Sequence, residues 1–561
     1  MPLSVGDWLI VCTLSCFVYI FINYRNRAIG TTKRKDPNFQ DASGWPLLGN
    51  LIGTFVNRNR PLEWATIRSL QKSPGLSITL PWLRLIDISK PEWVEYVQKT
   101  NFQNYVKGNL FQEVVADVFG DGIFASDGET WKKTRHSTSA IFTTNSFKTI
   151  MEPSVDRSLK SMLHIMELAA KKNHSIDFCD IFFKFTLESF LSMSFGVNVD
   201  LILGTLQLEN NTENITLQSS TNLFAEAFDF VQNQLDFRFS VIKGWKFLEG
   251  IMFPTGRKMN MACDFLDRYA YYLIDQRISA SGSGRDIKEK SDSYQEDLLG
   301  LFMQARDHRG GGLNRTELKD AVINLIIAGR DTTAQALSWA FFHLVMNPEV
   351  IEKVRQETVD VLESEGDEHV NYENFRQLVW TQAVAYETLR LHPSVPKNVK
   401  FALKKDVIPG GPVIEAGDAV RWSDWQMGRD PRIWGPDCGE FRPDRWINSQ
   451  GKLNQFGQFK FHAFNGGPRI CLGMKLAIFE IVTVVVEVLK RFNLEFAPGW
   501  LLFCPTYPEV LKLRLQQVPK SEPIPGISTR YPVPNYRSSL TLPMDSPMMI
   551  QIQLRNENSG T

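Results

Sequence analysis

Phe464-Asn465-Gly466-Gly467-Pro468-Arg469-Ile470-Cys471-Leu472-Gly473 runs directly into an apolar helix pattern that opens at Met474. Cys471 stands about one turn before that helix, where unpaired backbone N–H groups and the positive end of the helix dipole favour a thiolate. Gly466, Gly467 and Gly473 let the backbone approach something bulky and flat. Arg469, two residues ahead of the sulfur, offers a guanidinium to a carboxylate, and Phe464 can shield the sulfur from water. A lone buried cysteine is ordinarily a small hydrophobe. A glycine-rich phosphate loop would end in Gly-Lys-Ser/Thr, and this one does not. The five identities Phe464, Gly467, Arg469, Cys471 and Gly473 at this spacing recur by chance in about one chain in ten thousand.

Outward from this loop, composition removes several classes of protein. The 561 residues exceed one ordinary small domain, and 43% hydrophobic with 22% charged residues is globular composition. Seven cysteines, at 12, 16, 179, 263, 438, 471 and 504, form no C-x-x-C pair. That excludes a zinc module and a disulfide-stapled secreted scaffold, and makes a reducing compartment the default. Lys and Arg total 62, and so do Asp and Glu; no net field recruits nucleic acid, and a charge-guided partner must meet a local patch.

Trp8 to Ile22 (WLIVCTLSCFVYIFI) is uncharged and almost wholly apolar, with Arg25, Arg27, Lys33, Arg34 and Lys35 following it. By the positive-inside rule, residues 1–24 read as a single-span membrane anchor whose carboxyl-terminal side stays in the cytosol. The basic stretch adds about 1 kcal/mol per charge near anionic headgroups. A cleaved signal peptide ending at Ala28-Ile29-Gly30 is the rival reading, against which no positive segment precedes the run. Residues 25–59 read as a basic linker and a Pro/Gly hinge, Gly44-Trp45-Pro46-Leu47-Leu48-Gly49-Asn50, leading to a globular domain over 60–561.

Within that domain apolar residues recur at three- and four-residue steps over Ser154 to Leu168, Phe178 to Phe195, Arg257 to Ile278, Glu317 to Met346 and Met474 to Phe492. Short strand patterns lie at Leu76 to Leu80, Leu83 to Ser89, Asn398 to Ala402 and Met548 to Leu554. The fold class is therefore mainly α with small β-sheets. Ser279 to Ser293 reads as a solvated connector, and a Pro-rich insertion over about 498–535 holds eight of the 28 prolines, which forbids a long helix there.

The Cys471 segment resembles the haem-binding signature F-x-x-G-x-R-x-C-x-G of cytochrome P-450 monooxygenases, a family whose iron is held by a cysteine thiolate. The likeness implies the P-450 fold with haem b as cofactor, Cys471 as the proximal ligand and Arg469 as partner of a haem propionate. Three further motifs follow the family's order. Glu387-Thr388-Leu389-Arg390 with Arg445 resembles its Glu-Arg-Arg triad, implying a structural lock formed by Glu387, Arg390 and Arg445. Trp131-Lys132-Lys133-Thr134-Arg135 is similar to its W-x-x-x-R helix, implying that Trp131 and Arg135 point at a propionate. Ala328-Gly329-Arg330-Asp331-Thr332 resembles its distal-helix motif. A glycine inside a helix costs about 1 kcal/mol relative to alanine, which suggests a kink that opens room for dioxygen and water; the plainer reading is a threonine bonding its own i−4 carbonyl. The resemblance implies that Thr332 holds oxygen and water while Asp331 feeds protons to the relay.

The reaction so implied inserts one atom of O2 into a C–H bond and releases the other as water. With no G-x-G-x-x-G fingerprint and no room for a flavin domain, electrons are expected from a separate, membrane-bound NADPH-dependent flavoprotein reductase. Lys132, Lys133 and Lys475 offer it a basic patch, or are equally a solvated face. Localisation follows as single-pass in the endoplasmic reticulum membrane with a cytosolic catalytic domain. There the sequons at Asn210 and Asn214 stay unmodified. By family likeness, 102–124 and 223–253 line the substrate pocket; the second contains Phe224, Phe228, Phe230, Phe237, Phe239, Trp245, Phe247 and Phe253. The form of the distal motif, with Met427-Gly428-Arg429-Asp430-Pro431, looks most like the alkane and fatty-acid hydroxylase branch; polyketide or terpenoid tailoring is the alternative. A haem-thiolate isomerase or dehydratase and a non-enzymatic haem sensor are the rival classes, and Asp331 with Thr332 weighs against both.

Overall fold

The apolar periodicities of the sequence become the long helices of the body. The computed structural model describes residues 5–34, 36, 39, 41–57, 60–72, 75–203, 212–241, 243–282, 297–304, 313–504, 530–537 and 539–555. In chain order the helices used below are α1 Val5–Tyr24, α2 Gly108–Phe119, α3 Gly128–Ser139, α4 Glu152–Lys171, α5 Phe178–Phe195, α6 Thr212–Val241, α7 Trp245–Ile251, α8 Phe253–Gly282, α9 Arg315–Met346, α10 Pro348–Glu365, α11 Val379–Leu391 and α12 Met474–Arg491. The strands are β1 Gly75–Leu80, β2 Leu83–Ile88, β3 Tyr105–Val106, β4 Ser175–Asp177, β5 Lys397–Ala402, β6 Asp406–Val407, β7 Val413–Ile414, β8 Ala419–Ser423, β9 Phe492–Phe496 and β10 Met549–Leu554. They form a five-stranded sheet in the order β1-β2-β8-β5-β3, a three-stranded sheet β4-β10-β9 and the β6-β7 pair. The β2-β8 pairing is parallel and its neighbours antiparallel.

Local signals set the helix ends. The Asp177 side chain accepts from the Cys179 N–H at 2.9 Å, and Gly196 closes α5 in the left-handed region at φ 64°. Asn314 and Glu317 form a reciprocal capping box at the start of α9. Helix α8 runs on to Gly282, past the polar onset at Ser279, because extending an existing helix needs only one residue fixed per bond gained. The rest of that connector, residues 505–529 of the Pro-rich stretch, Lys35, and Asn210 and Asn211 lie outside the described residues.

The core gathers round α9, which is buried on almost every side by α5, α11 and α12. The Phe341 ring of α9 sits 5.4 Å from Phe178 and 5.1 Å from Phe182 of α5. Gly329 lets the two helices meet: a Cβ there would fall 2.1 Å from the Phe190 ring. Helix α9 runs unbroken through this point, and close packing against Phe190 is one role the glycine serves.

The hinge residues are strapped to the first hairpin. Ala28 is fully buried and donates its N–H to Thr79, Trp82 donates to Ile29, and the Asn50 side chain accepts from the Thr79 N–H. Before them, α1 leaves Trp8, Leu9, Leu14, Phe17 and Ile22 more than half exposed. Among the described residues no helix is long and apolar enough to cross a membrane.

Gly329→Ala is expected to destabilise the protein by ~1–3 kcal/mol through overpacking against Phe190, outweighing the helix propensity gained. Denaturant unfolding measures the loss, and adding Phe190→Ala should recover part of it.

Candidate active site

The loop before α12 is bent to present its sulfur. Asn465 and Gly467 both lie at φ 63°, and the turn they make brings the Cys471 N–H onto the Phe464 carbonyl at 2.8 Å. Glycine is required at 467 twice over, since a Cβ would also meet the Gln98 carbonyl at 2.9 Å. Cys471 is in no disulfide and its side chain is exposed. The protein packed around the loop desolvates the exposed sulfur and raises its thiol pKa, opposed by the Gly473 N–H donated to the sulfur and by the Arg135 guanidinium. A cation bound at the sulfur would reverse that balance. A Cβ on Gly473 would touch the sulfur at 3.9 Å. Beneath the loop, His462 bonds Asp424 through Nδ1 at 2.7 Å and Gln98 through Nε2, and Gln98 donates to the Asn465 side chain.

A group of cations stands beside this loop. Arg469 donates to Asp127 at 2.9 Å and to the Ser126 carbonyl at 2.8 Å, with its guanidinium 4.6 Å from the centre of the buried Trp131 ring. Lys107 lies 4.1 Å from the Phe111 ring. The Lys400 ammonium and Arg469 Nε are buried without a hydrogen-bond partner. Burial, then Arg469, lowers the Lys107 pKa to about 7, and burial with Arg469 and Lys107 takes Lys400 well below its ordinary value. Burial likewise lowers Arg469 to about 10 and depresses Arg135. Three cations, Lys107, Lys400 and Arg469, thus share one carboxylate, Asp127, with the Arg135 guanidinium near Arg469. Haem fits this demand, since its two propionates supply the missing negative charge and its iron needs an axial thiolate.

In the middle of α9, between its exposed ends, Leu325, Ala328, Gly329 and Thr332 are each partly exposed at i, i+3, i+4 and i+7 among buried neighbours, so one stripe of the helix faces open space. Thr332 donates its hydroxyl to the Ala328 carbonyl at 2.7 Å, the i−4 bond of the plainer reading. Asp331 turns off that stripe. It is buried, accepts from Gln232 of α6 and lies 3.0 Å from Arg330. Burial raises its carboxyl pKa to about 6, against the pull of Arg330.

Glu387, Arg390 and Arg445 do come together. Arg390 grips Glu387 through two bonds of 2.7 Å, and Arg445, the Arg442 N–H and the Trp446 indole reach the same carboxylate at 3.4, 2.8 and 2.9 Å. Arg390 spends its remaining donors on the carbonyls of Gly428, Cys438 and Glu440. Several other expected residues are differently placed. Lys132 pairs with Glu129, Lys133 with Glu317, and Lys475 with the Tyr372 hydroxyl. Phe224 and Phe228 are fully buried core, Trp245 lies under Arg238, and Phe247 and Phe253 point outward. Lys107, Asp127, Lys400 and the His462–Gln98 link were not foreseen. Only Lys400 left a trace in the sequence, as a charge on the same strand face as Ala402.

This is the donor set of a haem-thiolate protein. The family model described as Cytochrome P450 matches residues 40–501. A "Cytochrome P450 monooxygenase cyp1" of Mycosarcoma maydis is 38% identical over 551 residues, covering 97% of this chain and 79% of the relative. "Cytochrome P450 86B1" and "Cytochrome P450 704B1" of Arabidopsis thaliana are 30% and 31% identical, covering 86% and 81% of this chain and 84% and 90% of their own lengths. The chain belongs to the cytochrome P450 family. It is a monooxygenase, an oxidoreductase whose haem b is held through a cysteine thiolate.

Two outcomes follow from the geometry. Glu387→Gln leaves Arg390 buried with a weakened partner and is expected to cost ~3–5 kcal/mol, read as early denaturant unfolding with poor haem retention. A lysine whose folded pKa lies below its unfolded value binds fewer protons when folded, so stability rises with pH across that interval. The haem-free chain should therefore gain stability as pH climbs from about 7, the Lys107 value, towards about 10. Lys107→Met and Lys400→Met should flatten that slope in denaturant titrations at stepped pH, and bound haem should remove it.

Proposed function

We propose that Cys471 is the iron ligand and that this chain hydroxylates a long aliphatic substrate, a fatty acid or an alkane. The observation that carries the ligand assignment is the Cys471 sulfur, exposed and free at the mouth of α12 with the Gly473 amide donating to it. Phe464, Gly467 and Gly473 shape the loop around it. Arg469, Arg135, Lys107 and Lys400 neutralise the propionates, and Trp131 supports Arg469. When bound, haem supplies the activation of O2, using electrons from a separate NADPH-dependent flavoprotein reductase.

The protein's own groups place the substrate and manage protons. The open stripe of α9 carries the Thr332 hydroxyl, which orders dioxygen and water at the reacting side. Asp331 holds a proton behind it, with a pKa of about 6 that suits both uptake and release near neutral pH. The aliphatic assignment rests on the form of the distal motif, Ala328 to Thr333, and of Met427 to Pro431. Helix α1 is proposed to lie in the endoplasmic reticulum membrane. Its apolar side chains are exposed and unclaimed by the body. Arg25 and Arg27 follow it on the proposed cytosolic side.

Cys471→Ala should abolish the reduced carbon-monoxide band from which the family takes its name; an unchanged band sinks the ligand assignment. Thr332→Ala should keep haem while electrons leak to peroxide, measured as peroxide formed per NADPH consumed. Spectral titration with fatty acids, alkanes and terpenoids decides the substrate class, and a response to terpenoids alone would overturn the aliphatic reading.

A further inference from the structure

A chain of oriented side chains runs beneath the Cys471 loop, and its direction can be worked out from one backbone group. The Gly466 N–H donates to Asn465 Oδ1 at 2.9 Å. That bond sets which way the Asn465 amide points, so Gln98 meets the same oxygen with its Nε2 as donor. The Gln98 amide is then oriented as well: its Oε1 faces His462 Nε2, and a carbonyl oxygen can only accept. His462 Nε2 therefore carries a proton. On the other side of the ring, Nδ1 lies 2.7 Å from Asp424 Oδ1, the length of a charge-assisted bond. The second Asp424 oxygen accepts from the Asn398 amide at 3.0 Å, which favours the ionised carboxylate. Nδ1 is then a donor too. A neutral imidazole has one N–H, and this ring is asked for two.

The surroundings suit that demand. The His462 and Asp424 side chains are 1% and 5% exposed, so their bond is shielded from water. Burial raises the Asp424 carboxyl pKa, against the pull of His462 and then of Asn398. The Phe459 ring is stacked 6.0 Å from the imidazole and offers its face to a cation. Two backbone features mark the loop end of the chain. Gln98 sits in a π-helical turn, Tyr96–Thr100, a rare geometry that collects at functional sites. Asn465 is held at φ 63°, which a residue with a side chain adopts only where its surroundings insist.

We propose that His462, protonated on both ring nitrogens, is the positioning residue of the Cys471 loop: anchored on Asp424, it orients Gln98, and Gln98 holds Asn465 in the turn that aims the sulfur. This rests on the reading of Cys471 as the iron ligand. The loop is thereby locked from below by an ion pair, and Asn398 of β5 ties that pair to the five-stranded sheet. The bond from the Cys471 N–H to the Phe464 carbonyl closes the loop only on itself. A histidine that filled space beneath the loop would need neither a second proton nor an oriented amide.

The test uses the full haem-loaded chain with isotope-labelled histidine rings. Eight histidines keep the magnetic-resonance signals of the ring N–H groups separable, and those of His462 are assigned by their loss in His462→Gln. Two are expected in the parent, and a single one overturns the doubly protonated ring whatever the variants do. Gln98→Met has about the size of the parent side chain but lacks the amide, so it cuts the link to Asn465. Amide exchange over 464–471, read by mass spectrometry, should rise about tenfold in it. The reduced carbon-monoxide band should pass about tenfold faster to the shorter-wavelength form that marks loss of the thiolate. Asp424→Asn can donate to Nδ1 in its turn, so it should lose one ring N–H signal while loop exchange stays within about twofold of the parent. Gln98→Leu makes the same cut should Gln98→Met fold poorly. A rise confined to the loop is the expected result; a rise spread evenly over the chain, or none, overturns the positioning role. If Cys471→Ala keeps the band, the ligand reading falls. If that variant loses the band while the Gln98 variants keep both band and loop exchange, only the positioning role falls.

Discussion

The carboxylate of Glu387 governs where the catalytic loop can lie. It is fully buried, and it receives donors from Arg390 one turn along α11 and from Arg442, Arg445 and Trp446 in the segment that leads towards Cys471. Removing two charges from water is expensive, and their attraction offsets that penalty only when geometry is good and every remaining donor is bonded. Here Arg390 meets that condition, because its outer nitrogens reach three backbone carbonyls. Those carbonyls belong to a segment whose only regular structure is two single turns of helix, Asp424–Met427 and Pro431–Trp434. The pair therefore works less as a source of stability than as a jig: breaking it strands a charge, so the chain has one low-energy path from α11 to the loop.

The same principle, inverted, explains the cations beside the loop. Lys400 is buried with no partner, and Lys107, Arg135 and Arg469 add to the excess over Asp127. A natural protein rarely buries an unpaired ammonium. The strain is relieved by loss of the proton or by a ligand carrying negative charge, so affinity for an anionic cofactor is built into the folded state at the expense of the cofactor-free one. Fold and cofactor are in this sense linked equilibria.

Much of this was legible in the amino-acid order, and the remainder was not for a definite reason. The Cys471 loop, the Glu387–Arg390 spacing and the distal helix could be read because the chemistry of each lies within a few consecutive residues. The helices could be read from periodicity, and α5 was bounded correctly because Asp177 and Gly196 mark its ends. Asp127 was missed because its partners are the Lys107 and Gly108 amides and an arginine 342 positions away. The His462–Gln98 bond joins residues 364 apart. Such pairings belong to the tertiary fold and have no local signature. Gly329 has a role of the same kind: only the position of Phe190 reveals that a bare backbone is needed there for contact.

Helix α9 has to satisfy two demands that ordinarily exclude each other. As a helix buried over most of its length it should be apolar all round, yet it carries Arg330, Asp331 and two threonines at its centre. The solution is angular. Successive residues on a helix are turned by about 100°, so Thr332 can occupy the open stripe with Ala328 while Asp331 points instead to α6 and the carboxyl-terminal segment. The Thr332 hydroxyl is held by the Ala328 carbonyl on the one side, and the Asp331 carboxyl by Gln232 on the other. Adjacent residues thereby serve two separate polar environments, divided by the thickness of a single helix. This also accounts for the docking of the distant carboxyl-terminal segment. Gln335 receives the Leu542 N–H and Trp339 donates to the Leu542 carbonyl, closing over the acid from behind while the Thr332 stripe stays open.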